Sequence, residues 1–362
     1  MRITKIDTIP ISFPLEEEAF DATIRWREFN FLLVKVISDE GLIGFSDIAP
    51  LHEKEMTIYE TIIKSKLKEK VIGENPYNIE KIWMKMIGIG SGAYALGKTG
   101  AIVTAASAIE VALWDILSKS FNIPLYNLLG GQYRENVELY ASFMGQPPIE
   151  KIKEVIDKGF KKIKVKVGFD VKNDVEYIKE IRENLGYDFE LMVDANQGYN
   201  LNQAIEFAKK VTRFKIVWFE EPINILNIEG LRILSSKIDI PIALGENYYT
   251  IYDFLTVMRN NIVHIIQPDI NHAGGINQIR KISSIAEAYD IKLSPHLHSL
   301  IGFTVGLHVL TASPIGYIAE YPIYGGRWGE ESNKIIKRAI IIENGFAKIV
   351  SSSGIGIDFD EI

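Results

Sequence analysis

No cysteine occurs among the 362 residues, which excludes a disulfide framework, a thiolate zinc site and a cysteine nucleophile. Positive charge is not in excess either. The 40 Lys and Arg against 47 Asp and Glu give a net charge of −7, which argues against a general nucleic-acid binder because phosphate neutralisation needs net or clustered positive charge. No uncharged apolar run reaches the roughly 18 residues a membrane span requires. The longest apolar patch, Ala101 to Leu117, carries Glu110 and Asp115 and reads as a buried amphipathic helix. Met1-Arg2-Ile3-Thr4-Lys5 lacks the charged-then-apolar layout of a signal peptide. There is no Gly-X-Y period, and 47% hydrophobic with 24% charged residues is enough to bury a sizeable core, so disorder and collagen-like character are excluded. The expectation is a soluble cytoplasmic protein without membrane or nucleic-acid partners.

The length suggests two domains, or one large barrel with an elaboration. Residues Ile3–Asp7, Phe31–Val36 and Leu42–Phe45 have strand character, and helical spacing follows in Glu53–Val71, Ile79–Met86 and Ala101–Ser118. Such a unit is α+β. From Val137 onward the character changes. Short apolar strands recur at Val137–Phe143, Ile163–Val167, Leu191–Asp194, Ile216–Phe219, Ile242–Leu244, Ile262–Gln267, Ile291–Ser294 and Tyr317–Ala319, each followed by a helical stretch. Eight strand-then-helix units of about 25 residues predict a parallel (β/α)8-type barrel, since each parallel crossover needs a helix. A doubly wound open sheet would bring a glycine-rich first turn, which is missing. Beyond Trp328, the strand-like run Ala339–Ile342 is expected to pack back on the N-terminal unit.

The residues at the strand ends carry the chemistry. Lys164 and Lys166 end the second strand, Asp194 and Asn196 the third, Glu220 the fourth, Glu246 the fifth, Asp269 the sixth, His296 the seventh and Glu320 the eighth. In a barrel these ends face one mouth. A single acidic residue there would ordinarily cap the next helix; three on successive strands form a cluster that needs a compensating cation. Hard oxygen donors without His or Cys favour Mg2+, so Asp194, Glu220 and Glu246 are the expected metal ligands. Lys164 and Lys166 lie two apart and share a strand face, where two ammonium groups should depress each other's pKa and leave one able to act as a base. Asp269 and His296 close neighbouring strands, so the carboxylate is expected to orient the ring. His298, two positions on, is the alternative to His296; His52, His264 and His308 read as structural, although His52 also lies in a candidate substrate loop.

Taken as an ordered set, several stretches resemble the enolase superfamily, in its mandelate racemase-like subgroup. They are Lys164-Val165-Lys166, Val193-Asp194-Ala195-Asn196, Phe219-Glu220-Glu221-Pro222, Gly245-Glu246-Asn247, Gln267-Pro268-Asp269 with Gly274-Gly275, and Ser294-Pro295-His296. Ala112-Leu113-Trp114-Asp115 and the segment from Pro124 to Gly131 extend the likeness over nearly the whole chain. The resemblance implies an α/β fold: a (β/α)7β barrel over residues 126–325, an α+β capping domain over residues 1–125, and a C-terminal segment 326–362 that returns to the cap. It further implies a homo-oligomeric, Mg2+-dependent enzyme that abstracts the proton α to a carboxylate. Lys164 would neutralise that carboxylate, Lys166 would be the base on one face, and His296 with Asp269 the acid or base on the other. Glu320 would be protonated and donate to a carboxylate oxygen. A muconate cycloisomerase-like pattern, with a lysine at the sixth strand and no His at the seventh, does not match.

Two reactions then compete. With a β-hydroxyl on the substrate, elimination gives a 2-keto-3-deoxy acid; without a leaving group, reprotonation gives a racemase or epimerase. Polar residues in the expected capping loops Pro14–Asn30 and Ala49–Glu55, Arg25 and His52 among them, favour an acid sugar and hence a dehydratase. These two residues and Asn196 are the expected substrate contacts. A third reading is a P-loop nucleotide hydrolase, because Gly92 to Thr99 fits G-x-x-x-x-G-K-[ST] letter for letter. That motif works only directly after a strand, and the preceding Ile79–Met86 has helical spacing.

Overall fold

In the computed structural model, which describes residues 1–97, 99–323, 339–350 and 352–357, the strand-like start forms an antiparallel sheet. Its strands are β1 (Ile3–Phe20), β2 (Arg25–Ser38) and β3 (Ile43–Ile48), in the order β1-β2-β3. Most of the expected loop Pro14–Asn30 is strand. Pro14 pairs with Glu28 and, past an irregularity, Ala19 with Trp26, leaving only the turn between Phe20 and Arg25. Asp21 builds that turn by accepting from the Thr23 N–H, the Thr23 hydroxyl and the Ile24 N–H at 2.6, 2.7 and 3.0 Å.

Helices α1 (Glu53–Ile62), α2 (Lys68–Val71), α3 (Ile79–Ile87), α4 (Ala101–Ser120) and α5 (Leu125–Leu128) follow, with one π-helical turn at Ile63–Leu67. Helix α4 is long and apolar enough to cross a membrane, but it is buried between this sheet and the barrel helices. The amphipathic reading is corrected: Glu110 and Asp115 are buried too, because each caps backbone from another element. Glu110 accepts from the Ile276 and Asn277 N–H groups at 2.8 and 3.0 Å, and Asp115 from those of Phe45 and Ile355 at 3.0 and 2.9 Å.

The barrel then runs β4 (Val137–Phe143), α6 (Ile149–Asp157), β5 (Lys162–Lys166), α7 (Val171–Leu185), β6 (Glu190–Asp194), α8 (Leu201–Val211), β7 (Ile216–Glu220) and α9 (Ile228–Ser235). It continues with β8 (Ile242–Leu244), α10 (Ile251–Arg259), β9 (Ile265–Ile266), α11 (Gly275–Ala288), β10 (Lys292–Leu293), α12 (Leu300–Ala312) and β11 (Ala319–Ile323). Neighbouring strands pair in parallel from β4 to β10, and β11 returns to pair with β4. Between β10 and β11 the closure is a single parallel bridge, Leu293 to Gly316. Among the described residues seven helices join the eight strands, so the fold is a (β/α)7β barrel under an N-terminal cap. Side-chain caps start several of these helices: Asp170 on α7, Asn200 with Gln203 on α8, Thr250 with Asp253 on α10 and Ser299 on α12.

The floor of the barrel is filled by Tyr140, Met192, Trp218, Ala243, Ile265 and Ile318, so its interior is packed and only the upper layers remain for polar groups. At the C-terminal end, β12 (Ile340–Glu343) and β13 (Phe346–Ile349) form a hairpin. It pairs with barrel strand β4 through Phe346–Glu138 and Ala347–Val137, where the sequence had suggested packing on the N-terminal unit. β13 adds to an open stretch of β4, and β12, which holds the run, lies outside β13. At Gly354–Ile355 the chain does reach the cap: the Ile355 N–H donates to Asp115 Oδ1 of α4 at 2.9 Å and the Leu125 N–H, at the start of α5, donates to Gly354 O at 2.9 Å. Trp328 and Lys98 lie outside the described residues.

Candidate active site

Register assembles the site. In the parallel ladder Lys166 stands beside Asp194 and Asp194 beside Glu220, so three strand-end residues share one layer. Lys164 lies one inward step below, beside Met192, and Glu320 is level with Tyr140 on β4. Alternation along β5 turns the lysines to the interior and Ile163 and Val165 toward the helices. The backbone bends sharply just past the layer: Asn196, Gln197 and Glu221 have φ of 39, 66 and 35°. Such left-handed conformations are rare outside glycine and cluster at functional sites.

One ligand oxygen each of Asp194, Glu220 and Glu246 lies within 4.8 Å of the others. Buried lysines face them. Lys164 Nζ is 2.7 Å from Glu220 Oε1, 2.9 Å from Glu320 Oε1 and 3.5 Å from Asp194 Oδ2. Lys166 Nζ is 2.6 Å from Asp194 Oδ2. Across the mouth, His296 Nδ1 is 2.9 Å from Asp269 Oδ2 and His296 Nε2 is 3.5 Å from Glu246 Oε2. The remaining Asp269 oxygen accepts from the Asn271 and His272 N–H groups at 2.7 and 3.0 Å. Asp269, His296 and His298 form a second group able to approach an ion, but their facing atoms already engage one another.

The electrostatics revise two expectations. Burial favours the neutral amine at Lys164, but Glu220 and Glu320 outweigh it and hold the ammonium well above the usual lysine range. Lys166 is raised in the same way, burial being overcome chiefly by Asp194. Lys164 does act to lower Lys166, as expected, but the carboxylates within 2.7 Å of each ammonium outweigh it. At Glu320, expected to be protonated, the balance of causes runs the other way. Burial pushes it up, yet the Lys164 ammonium and then His296 bring it below the ordinary glutamate value.

The excess of negative charge surfaces at Glu220, which burial and then Asp194 push up to about 8. Glu221 rises well above its usual range through burial and Glu246. A carboxyl forced toward protonation among hard oxygen donors is the signature of a site one cation short. Burial opposes the imidazolium at His296, but Glu246 and the Asp269 hydrogen bond raise the ring to about 10.

Of the expected substrate contacts, Asn196 lies beside the cluster, its Nδ2 3.1 Å from Glu246 Oε1 and its Oδ1 without a partner. Arg25 and His52 are not brought there. Arg25 is exposed, pairs with Glu18 at 3.2 Å and lies 4.9 Å over the Phe20 ring. His52 is exposed at the start of α1, with its N–H bonded to Glu55 at 3.3 Å. Other parts of the same segments reach the mouth. Ala22 lies so close to Gly168 and Gly198 that a Cβ on Gly198 would sit 2.6 Å from Ala22 Cβ and 2.5 Å from Gly168 O. Ala49 O lies 3.1 Å from His298 Nε2.

Several residues were not singled out from sequence. Gln267 Nε2 and Trp218 Nε1 both donate to Glu220 Oε2, at 2.7 and 3.1 Å. Asn247 Nδ2 and Gln197 Nε2 donate to Glu221, which braces the Glu246 segment. Tyr59 and Tyr249 lie near Asp269: burial raises both phenols, with Tyr249, Glu55 and then Asp269 helping to push Tyr59 up to about 12 and Asp269 adding at Tyr249. The adjacent pair Glu220-Glu221 was the one signal available, since a second buried carboxylate beside a ligand needs its own donors. The P-loop reading is not supported: the element directly before Gly92 is helix α3, not a strand.

Residues 149–362 match the family model described as enolase C-terminal domain-like, and residues 21–130 match the mandelate racemase / muconate lactonizing enzyme N-terminal domain. The chain belongs to the mandelate racemase/muconate lactonizing enzyme family of the enolase superfamily. It is 32% identical to the arabinonate dehydratase of Saccharolobus solfataricus over 90% of this chain and 87% of the relative. With the D-galactarolactone cycloisomerase of Agrobacterium fabrum it shares 28% identity over 99% and 97% of the two chains. Among solved structures, a racemase from Streptomyces coelicolor A3(2) with bound magnesium superposes with a TM-score of 0.88 at 27% identity, over 99% of this chain and 98% of that one. Members of this family are enzymes, and the relatives include dehydratases, cycloisomerases and epimerases.

Proposed function

We propose that this enzyme is a Mg2+-dependent hydro-lyase that removes the proton α to a carboxylate of an acid sugar and expels the β-hydroxyl, leaving a 2-keto-3-deoxy acid. The observation that carries the reading is one buried carboxylate cluster flanked by two proton-transfer candidates, Lys166 beside Asp194 and His296 beside Glu246. Asp194, Glu220 and Glu246 fit Mg2+, being three hard oxygen donors in a pocket whose charge already forces Glu220 toward protonation. When bound there, the ion supplies Lewis-acid stabilisation for the charge that develops on the substrate carboxylate.

The chain's own groups account for the rest. A carbon-bound proton beside a carboxylate is far less acidic than any side chain, so a base alone cannot remove it at a useful rate. Lys164 is a fixed, buried cation that offsets the second negative charge, a contribution on the order of 3 kcal/mol for a group of this kind. Lys166 would take the α-proton as the neutral amine, once Asp194 no longer pairs with it and its own proton has passed to solvent. His296, oriented by Asp269 and raised in basicity, donates from Nε2 to the departing β-hydroxyl. Hydroxyl-bonding groups near Asp269, namely Tyr59, Tyr249 and His272, suit a polyhydroxy acid. The arabinonate dehydratase likeness points the same way.

Racemisation or epimerisation is the second reading. Two groups on different strands of the mouth could remove and return one proton, and the racemase from Streptomyces coelicolor shares the fold. A library of acid sugars incubated with Mg2+ and assayed for 2-keto-3-deoxy products separates the two. Proton NMR in D2O adds the decisive contrast: α-proton exchange without elimination across the library would favour the racemase.

A further inference from the structure

Asp174 has no task in the reaction just described, yet it is fully buried in the first turn of α7. Capping that helix does not explain it, because exposed Asp170 already does so by accepting from the Asn173 N–H at 3.0 Å. Asp174 faces the loops of the barrel mouth instead. Its Oδ2 accepts from the Gly168, Phe169 and Asp170 N–H groups at 3.1, 3.0 and 3.0 Å and from the Tyr199 hydroxyl at 2.5 Å. Its Oδ1 accepts from Gln146 Nε2 at 2.8 Å. A buried carboxylate is unfavourable unless donors surround it, and here three strand-end loops supply them.

These loops are the ones that follow β4, β5 and β6. Gln146 also donates to Lys166 O at 3.2 Å, and the Lys166 N–H donates to Gly145 O at 3.2 Å, so the β4 loop is tied to the end of β5. The β1–β2 turn and the Phe20 ring before it rest on all three. A Cβ added at Gly145 would lie 2.6 Å from the Phe20 ring, and that ring meets Phe169 edge-on at 5.8 Å between centroids. Ala22 Cβ would lie 3.1 Å from a Cβ on Gly168 and 2.6 Å from one on Gly198. Every residue under the turn either bonds to Asp174 or adjoins one that does.

We infer that Asp174 is a positioning residue: it fixes the platform of strand-end loops that seats the β1–β2 turn over the barrel mouth, and through that turn it sets the affinity for substrate. This rests on the reading of the mouth as the substrate site. Without the carboxylate, the N–H groups of Gly168, Phe169 and Asp170 and the Gln146 amide lose their common acceptor. The three loops then move independently, and the close contacts at Gly145, Gly168 and Gly198 cannot all be kept. The fold itself does not depend on this link, since α7 keeps its Asp170 cap and the strands keep their ladder. A displaced turn loses contacts made to the substrate in its ground and transition states alike, so KM rises more than kcat falls.

Full-length, Mg2+-loaded enzyme tests this in two ways. Because the chain has no cysteine, Ile24→Cys in the exposed turn and Lys209→Cys on α8 take spin labels at those positions alone. Without substrate, double electron–electron resonance should give one narrow distance in the otherwise wild-type chain and a broad one in Asp174→Ala. Asp174→Asn keeps one oxygen for the three N–H groups but turns a donor toward Gln146. It covers the case in which Asp174→Ala does not fold, and should show the same broadening to a smaller degree. Asp170→Ala loosens the helix start and leaves the carboxylate, so it keeps the narrow distance. With a substrate from the acid-sugar screen, KM in the Asp174 variants should rise on the order of 10-fold while kcat falls by less. A role confined to folding would instead lose active molecules and lower apparent kcat at unchanged KM. A broad distance in the wild-type background, or narrow ones in both Asp174 variants, overturns the inference. So does equal broadening in Asp170→Ala, or an unchanged KM where the distance has broadened. The spectroscopic result needs no sugar, so it stands apart from whether the enzyme dehydrates or racemises.

Discussion

Lys166 Nζ lies 2.6 Å from Asp194 Oδ2, with both side chains buried on adjacent strands in the same register layer. The pair ties the candidate base to a candidate metal ligand, so a change at either should be felt by the other.

Lys166→Ala is expected to lower turnover of any substrate found in the acid-sugar screen by roughly 100- to 10,000-fold, the range for loss of a general base. Far-ultraviolet circular dichroism should stay as in the wild type. Turnover within a factor of a few of the wild type would remove Lys166 from the mechanism.

Gln267 holds a Glu220 oxygen at 2.7 Å from within the barrel. Replacing it with Leu deletes that donor at nearly constant bulk. By the usual effect of removing a group that orients a ligand, Mg2+ affinity should fall roughly 10- to 100-fold, measured by calorimetric titration. Ion-dependent thermal stabilisation at fixed Mg2+ should shrink in parallel.

Buried His308 provides a pH prediction away from the site. Its Nδ1 accepts from the Tyr126 N–H at 3.2 Å and its Nε2 faces Ile355 O at 3.4 Å, contacts that only the neutral ring satisfies together. Burial lowers its pKa from 6.5 to about 4. The unfolded chain thus binds a proton that the folded one refuses, and stability is lost as pH falls through that window. At about 1.4 kcal/mol per unit the ring accounts for roughly 3 kcal/mol. Melting curves of His308→Gln, which can keep both contacts without titrating, should show a shallower decline over the same range.

Gly198 tests the seat of the cap. A methyl group there would meet Gly168 O at 2.5 Å and Ala22 Cβ at 2.6 Å, so Gly198→Ala must displace the β1–β2 turn from the barrel mouth. The expected cost is about 1–3 kcal/mol in chemical denaturation, with a raised KM as substrate loses its cover. Unchanged stability and KM would mean that the turn does not rest on the mouth.

Much of the barrel was legible because its strands are short apolar runs that recur at the βα interval and end in polar residues. The lysines of β5 could be turned inward from alternation alone, since helices flank the strand. Arg25 and His52 misled for the opposite reason: on an exposed hairpin end and an exposed helix start, charge says little about direction, and Glu18 and Phe20 claim the guanidinium. The direction of the shifts at Lys164, Lys166 and Glu320 depended on distances of about one hydrogen bond, which no spacing conveys. Ala49 could not have been found at all, since it acts through a backbone carbonyl.

A crystal soaked in Mn2+, with anomalous diffraction collected to locate the ion, probes the convergence of the three carboxylates without knowledge of the sugar. One peak among Asp194, Glu220 and Glu246 is the predicted result. No peak there, or a peak held only by Asp269, His296 and His298, would contradict it.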